Sequence, residues 1–275
     1  MRTLAAPSPA QLMVHADLAL RSALAAVAGT EPSRLGRAAA GAAYLDLWAG
    51  DRLLRADGGN HSAVARFLLP RLLMESVDTL SVLLGERAQR NTGPGAAYRE
   101  HARWLHQAMW HPDHRARLDA VTARLDGPPT GEDRLARPLT SVRPAALPLD
   151  LHALLDALER ERRAVVGACA LAPERDSAGN WALADRYALL TAAAACLDGW
   201  RGAGRGRRIT SDRDRLVAAL SRIAIRLGLE PVGPDTELSG ALFGEAVAHC
   251  RRPTAPARTA PARTAPVGAR RLVGA

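Results

Sequence analysis

The sequence predicts an all-α protein, and three observations lead to that fold class. Apolar residues make up 48% of the 275 residues, yet aromatic residues make up only 4%. Alanine and leucine, which favour helices, are abundant, whereas the β-branched and aromatic residues that fill strands are scarce. Apolar positions also recur at helical spacing along most of the chain. We therefore expect a helical bundle without a substantial sheet, in which the isolated large core residues are Trp48, Trp104, Trp110, Trp181 and Trp200.

Five helices are predicted in the first half of the chain. The first ends at Gly29, and the second begins at Thr30-Glu31-Pro32, where Thr30 supplies a capping side chain. The third is the longest apolar segment, so we expect a central helix with a kink at Pro70. Pro112 separates the last two. The expected ranges are 10–28, 31–56, 61–88, 96–110 and 113–125.

Prolines then divide the chain into two helical segments. Proline occurs at positions 128, 129, 138, 144 and 148. Because proline is excluded from helix interiors, this segment is predicted to be a linker. Four further helices are expected at 149–172, 180–200, 211–228 and 235–250, the third with Ser211 and Asp214 in a capping box. The predicted organisation is a helical bundle over 1–126, a proline-rich linker over 127–148, a second helical segment over 149–250 and a tail over 251–275.

All positively charged side chains other than histidine are arginines. The sequence contains no lysine, so Schiff-base catalysis, a lysine nucleophile and a Walker-type phosphate loop are excluded. The formal charge is +9, but the tail carries six arginines and no acid, which leaves +3 for the rest. Repeats of TAPAR in the tail lack apolar residues large enough to form a core, and they predict disorder.

Three segments carry a resemblance to a known family. They are SAVARFLLPRLLMESVDTLSVLLG at 62–85, YREHAR at 98–103 and ALADRYALLTAAAACL at 182–197. The first two resemble the C-terminal helical domain of acyl-CoA dehydrogenases, in particular a bacterial branch found in biosynthetic clusters. The third is similar to an additional helical region of the same branch, so the resemblance spans about residues 33–228. It implies a helical bundle that packs beneath a flavin.

The resemblance assigns a cofactor-binding role to two residues. It implies that Gly85, at the end of the third helix, lets the backbone approach FAD closely and that Arg87 lies near the adenine or pyrophosphate end of the cofactor. A glycine at this place can equally well do no more than end the helix. Both interpretations remain open from the sequence.

The resemblance does not extend to a catalytic base. Family members commonly use a glutamate of this bundle to abstract the substrate α-proton, but residues 104–114 contain no matching acid, and neither Glu100 nor Asp113 fits the position well. The N-terminal helical domain and the middle β-domain of the family also have no counterpart in the sequence. We therefore assign no catalytic residue and expect no activity from the chain alone. FAD would bind only together with a partner that supplies the N-terminal half.

Other candidate sites have ordinary explanations. His101, His106, His111 and His114 form the densest group of titratable residues, but 101/106 and 106/111 are five residues apart and point in different directions on a helix, so we assign no metal site. The charges at 185–186 and 212–215 are typical of solvated helix faces. The glycine- and arginine-rich segment 202–208 could bind phosphate or be a basic loop.

Three functions follow as hypotheses. The first is a subunit or remnant of a flavin-dependent acyl-thioester oxidoreductase, which would act with its missing half or as a homo-oligomer. The second is a non-catalytic helical interaction or scaffold protein. The third is a protein that attracts polyanions through its tail, without specific recognition of nucleic acid, because no helix-turn-helix pattern or stacking aromatic residues are present. Three widely spaced cysteines and the absence of a long apolar run predict a cytoplasmic protein with no membrane span.

Overall fold

The protein is built from α-helices and short 3-10 helices, with no strand in the residues that the structure describes. In the computed structural model these residues are 6–56, 61–125, 129, 133–142, 149–171, 177–201, 209–230 and 236–253. The α-helices are α1 (Pro9–Ala26), α2 (Arg34–Arg55), α3 (His61–Leu84), α4 (Gly93–Met109), α5 (His114–Thr122), α6 (Leu149–Leu171), α7 (Ser177–Arg201), α8 (Ile209–Arg226) and α9 (Thr236–Cys250). The 3-10 helices are Gly85–Gln89, Arg134–Ala136 and Leu139–Val142. The predicted all-α fold class is confirmed.

Some helix ends differ from the prediction for local reasons. α2 begins at Arg34, because the side chain of Ser33, and not that of Thr30, accepts a hydrogen bond from the first turn, here from Gly36 N. The hydroxyl of Thr30 donates to the carbonyl of Val27 instead, at 2.7 Å. α8 begins two residues before Ser211, so the predicted capping box at Ser211 is wrong. α3 ends at Leu84 and changes to a 3-10 helix at Gly85.

α3 lies at the centre of the bundle, as its apolar sequence predicts. It packs against α1, α2, α4, α5 and α7. Pro70 is accommodated inside this helix. The buried side chains that it contributes include Leu69 and Leu73, both 0% exposed. The rest of the core is rich in alanine, which allows close approach of neighbouring helices.

The tryptophans divide into two groups. Trp48, Trp104, Trp181 and Trp200 are half-buried and pack against the core. Trp110 follows the last residue of α4 and is 76% exposed. The prediction that all five tryptophans lie in the core is therefore wrong for Trp110, whose apolar ring faces solvent at a helix end.

Helices from both sides of the proline-rich segment share one hydrophobic core. α2 packs against α7, α8 and α9, and α3 packs against α7. The predicted linker also contributes to this core, because Leu135 and Leu139 in its 3-10 helices are buried. Division of the chain into 1–126 and 149–250 remains a prediction about its organisation. Segment 202–208 and tail residues 254–275 lie outside the described residues.

The end of α9 is fixed to α1 by polar contacts. Arg21 donates hydrogen bonds to the carbonyls of Cys250 at 2.7 Å and Arg252 at 2.8 Å. His249 Nε2 lies 2.6 Å from Asp17 Oδ1, and Asp17 also accepts a hydrogen bond from Arg21. These contacts hold the C-terminal end of α9 against α1.

Candidate functional site

Gly85 and Arg87 lie in the turn between α3 and α4. Gly85 has a φ of +52°, a conformation that favours glycine, and a Cβ added there would meet nothing within 4 Å. Glycine is therefore explained by the change of direction at the end of α3. The predicted contact of Gly85 with flavin stays a prediction.

Close packing fixes the next part of this turn. A Cβ on Gly95 would lie far inside van der Waals distance of the carbonyl oxygen of Arg87. Gly95 is buried, and Gly93, two residues earlier, has a φ of +67°. The two glycines therefore let the first turn of α4 pack directly on the backbone of the 3-10 helix that carries Arg87.

Four arginines lie within this turn or in the following part of α4. Arg99 Nη2 donates hydrogen bonds to the carbonyl of Arg90 at 2.7 Å and to Asn91 Oδ1 at 2.9 Å. Arg103 follows Arg99 by one turn of α4 and is exposed, as is Arg90. Across the described residues, none of the four is found in an ion pair; they are Arg87, Arg90, Arg99 and Arg103. We call these four arginines, with the first turn of α4, the basic corner.

The start of α4 adds to the positive potential of the basic corner. Its N-cap residue, Thr92, makes no side-chain capping hydrogen bond, and its first turn contains no acidic residue. The partial positive charge of a helix N-terminus favours anions, and guanidinium groups bind phosphate or carboxylate oxygens in pairs. The acidic residues of segment 85–103 are Glu86 and Glu100, and both are exposed. The arrangement is suited to an anionic group such as a phosphate.

The strongest buried charge cluster lies elsewhere, between α2, α3 and α8. Asp46 is 3% exposed and accepts hydrogen bonds from Ser76 at 2.6 Å and from both Arg222 and Arg226, the shortest of these at 2.6 and 2.8 Å. Burial alone would raise the pKa of Asp46, but the charges of Arg222 and Arg226 outweigh burial and lower it to about 2. Arg226 also contacts Glu75 at 3.3 Å. Asp46 is thus held as a carboxylate, which fits a structural role.

A second buried carboxylate borders an open polar pocket of about 550 Å³. Glu159 accepts hydrogen bonds from Arg162 at 2.8 and 2.9 Å, from Arg163 at 3.1 Å and from the backbone N–H of Leu139 at 2.9 Å. Burial raises its pKa, but these hydrogen bonds and the charge of Arg162 have the larger combined effect and lower it. The hydrogen bonds fix the 3-10 helix that begins at Leu139 onto α6.

Three potential nucleophiles, Cys196, Cys250 and Tyr187, have raised pKa values. Burial raises the pKa of the Cys196 thiol to about 12 and that of Cys250 to about 11. Burial, and then the hydrogen bond to Asp133, raise the pKa of the Tyr187 hydroxyl. A thiolate or phenolate at neutral pH is therefore not favoured at any of these residues.

Three of the four histidines of the predicted cluster have separate side-chain partners, and His114 is exposed. His106 lies 3.1 Å from Asp78, and His111 lies 2.8 Å from Asp113. His101 instead faces His15, which is 86 residues earlier in the chain. In the described parts of the chain, no group of three or more His, Cys, Asp or Glu side chains is placed to hold a metal ion.

The charged segments at 185–186 and 212–215 are not simply solvated. Asp185 forms an ion pair with Arg71 of α3, and Arg186 forms one with Glu161 of α6. Arg215 bonds to Glu245 of α9 at 2.7 Å. The prediction of solvated faces is wrong for Asp185 and Arg215, which connect neighbouring helices, whereas Arg186 and Asp214 are exposed.

Comparison with known proteins gives no match, since no family model, no curated protein and no solved structure is similar to this chain. The resemblance to acyl-CoA dehydrogenases therefore depends on the three sequence segments alone. Among the described helices, none is both long enough and apolar enough to cross a bilayer.

Proposed function

We propose that this chain is an acyl-CoA dehydrogenase-like helical subunit whose basic corner binds the pyrophosphate of FAD or of an acyl-CoA thioester. The observation that carries the proposal is the group of four arginines with no ion pair among the described residues, beside the uncapped start of α4. FAD and coenzyme A both contain a pyrophosphate, whose oxygens match the paired N–H groups of guanidinium. Arg87 is the residue of this group to which the family resemblance also assigns a role in cofactor binding.

The chemistry would depend on residues from a partner polypeptide. A general base needs a pKa near the working pH and access to the substrate. Asp46 and Glu159, both buried, instead have lowered pKa values and arginine partners. A partner that supplies the base and the rest of the flavin pocket is therefore part of the proposal, and a second copy of this chain is an alternative partner.

Calorimetric titration of the full chain tests the proposal. Inorganic pyrophosphate, FAD and coenzyme A are titrated separately at low and at physiological salt, because a phosphate contact weakens as salt screens it. We expect pyrophosphate and coenzyme A to bind, and FAD to bind only through its pyrophosphate, because the rest of its pocket belongs to the partner. The variant Arg87→Ala should weaken each ligand about tenfold, the change that follows from losing about 1.4 kcal/mol of binding.

The variant Arg66→Ala is the matched control, because Arg66 is exposed on α3 and its loss changes the net charge by one unit without touching the basic corner. Equal weakening by Arg66→Ala would indicate unspecific attraction. Absence of binding for all three ligands to the wild-type chain would refute the proposed function.

A second candidate function is a non-catalytic interaction protein. The observation that favours it is the exposure of large apolar side chains, with Trp110 76% and Leu35 66% exposed. This hypothesis predicts that FAD and coenzyme A cause no thermal shift in the pure protein. It also predicts that Trp110→Ala leaves the unfolding temperature unchanged while it weakens capture of a binding protein identified by cross-linking.

A further inference from the structure

A pair of histidines joins α1 and α4 at a place separate from the basic corner. His15 Nδ1 of α1 lies 3.2 Å from His101 Nδ1 of α4. The two rings have centroids 5.2 Å apart and planes inclined by 70°. Nδ1 of each ring therefore faces Nδ1 of the other ring across the interface between α1 and α4.

The neighbouring Trp104 restricts the orientation of the His15 ring. The indole of Trp104, one turn after His101 on α4, stacks on the ring of His15, with centroids 3.8 Å apart and planes 5° from parallel. Both histidines are half-buried. Stacking holds the plane of the His15 ring, and the contact with His101 Nδ1 orients His15 Nδ1 towards α4.

Both rings favour the neutral form that a metal ion requires. Burial lowers the pKa of His15, and the neighbouring His101 lowers it further, while Glu100 opposes this effect. Burial also lowers the pKa of His101, again opposed by Glu100. A neutral imidazole has one nitrogen with a free lone pair, and the tautomer with the proton on Nε2 presents this lone pair at Nδ1.

The separation of the two nitrogens is that of neighbouring ligands on one ion. With Zn–N bonds of about 2.0–2.1 Å and tetrahedral angles, two nitrogen ligands lie about 3.3 Å apart. The same 3.2 Å distance also fits an N–H···N hydrogen bond between the rings, which is the competing arrangement. A bound metal ion would take the place of the proton that the two Nδ1 atoms share in this hydrogen bond.

We propose that His15 and His101 form a two-histidine site for a divalent transition-metal ion, which joins α1 to α4. The remaining coordination positions are open to water. Imidazole ligands suit Zn²⁺, Ni²⁺ and Cu²⁺, and Cu²⁺ should bind most tightly of the three. Magnesium and calcium prefer oxygen ligands and should not bind. The site does not depend on the proposed function.

The test uses the full chain without an affinity tag, freed of metal by a chelator. Zn²⁺ is titrated by calorimetry at pH 7.5, and the unfolding temperature is measured with and without Zn²⁺. We expect one equivalent to bind and the unfolding temperature to rise. His15→Asn and His101→Asn should each weaken binding at least about tenfold, and His106→Asn, the matched control on the same helix, should leave it unchanged.

A spectroscopic measurement on the wild-type chain needs no variant. Pulsed electron paramagnetic resonance of the protein with one equivalent of Cu²⁺ should show two coordinated imidazoles, and fluorescence of Trp104, which stacks on one of them, should be quenched. One coordinated imidazole, no binding of Zn²⁺, or equal weakening by His106→Asn would each overturn the proposal.

Discussion

Replacement of Asp46 by asparagine is the most informative perturbation of the fold. Asp46 is 3% exposed and faces two guanidinium groups, Arg222 and Arg226, which lie 176 and 180 residues later in the chain. Asparagine keeps the size of the side chain but removes its charge. Two arginines then remain half-buried without their main counter-charge, and breaking a buried ion pair in this way costs about 3–5 kcal/mol.

The lowered pKa of Asp46 predicts that the same interaction depends on pH. The folded pKa of about 2 lies below the ordinary value of 3.8, so the charged form stabilises the fold above the unfolded pKa, and this contribution is lost as pH falls through about 2. This lowering of the pKa corresponds to roughly 2–3 kcal/mol at neutral pH. Both estimates are of the same order.

The assay is urea unfolding followed by circular dichroism, at pH 7 and at steps between pH 5 and pH 2. Asp46→Asn should lower the free energy of unfolding by about 2–5 kcal/mol at pH 7 and should reduce its dependence on pH. The control is Asp51→Asn on the same helix, an exposed partner of Arg55 that should cost less than about 1 kcal/mol. A loss below about 0.5 kcal/mol for Asp46→Asn would refute the reasoning.

Three further predictions concern other parts of the chain. Gly95→Ala should lower the free energy of unfolding by about 1–3 kcal/mol, because its Cβ meets the carbonyl of Arg87, whereas Gly167→Ala, inside α6 with nothing within 4 Å, should leave it unchanged or raise it by up to about 1 kcal/mol. Tyr98→Phe should cost about 0.5–1.5 kcal/mol in urea unfolding, because its buried hydroxyl donates to a backbone carbonyl of α3 at 2.8 Å. Deletion of 254–275 removes four arginines and should abolish retention on heparin at moderate salt while the unfolding temperature stays constant.

The helices themselves were predictable from the sequence, because their apolar periodicity is strong and proline and glycine mark the gaps between them. The errors lie at the ends. Thr30 and Ser33 are both good capping residues, and only the path of the chain decides that Ser33 caps α2 and Thr30 bonds back to Val27. Local sequence cannot distinguish two such candidates three residues apart.

The long-range sites were not predictable in the same way. Asp46 looks like an ordinary polar position of α2, and its arginine partners come from α8. In the sequence His101 belongs to a group with His106, His111 and His114, whereas its neighbour in space is His15. Arg87 was identified through the family resemblance, and its proximity to the start of α4 became visible only in the fold.

Hydrogen–deuterium exchange of the full chain, with and without saturating pyrophosphate, tests the central claim most directly, because it locates the ligand by residue. We predict slower exchange in residues 85–103, the segment that contains the basic corner, and little change in α6 or α9. Protection confined to the tail, or to helices remote from Arg87, would contradict the claim that the basic corner is the phosphate-binding site.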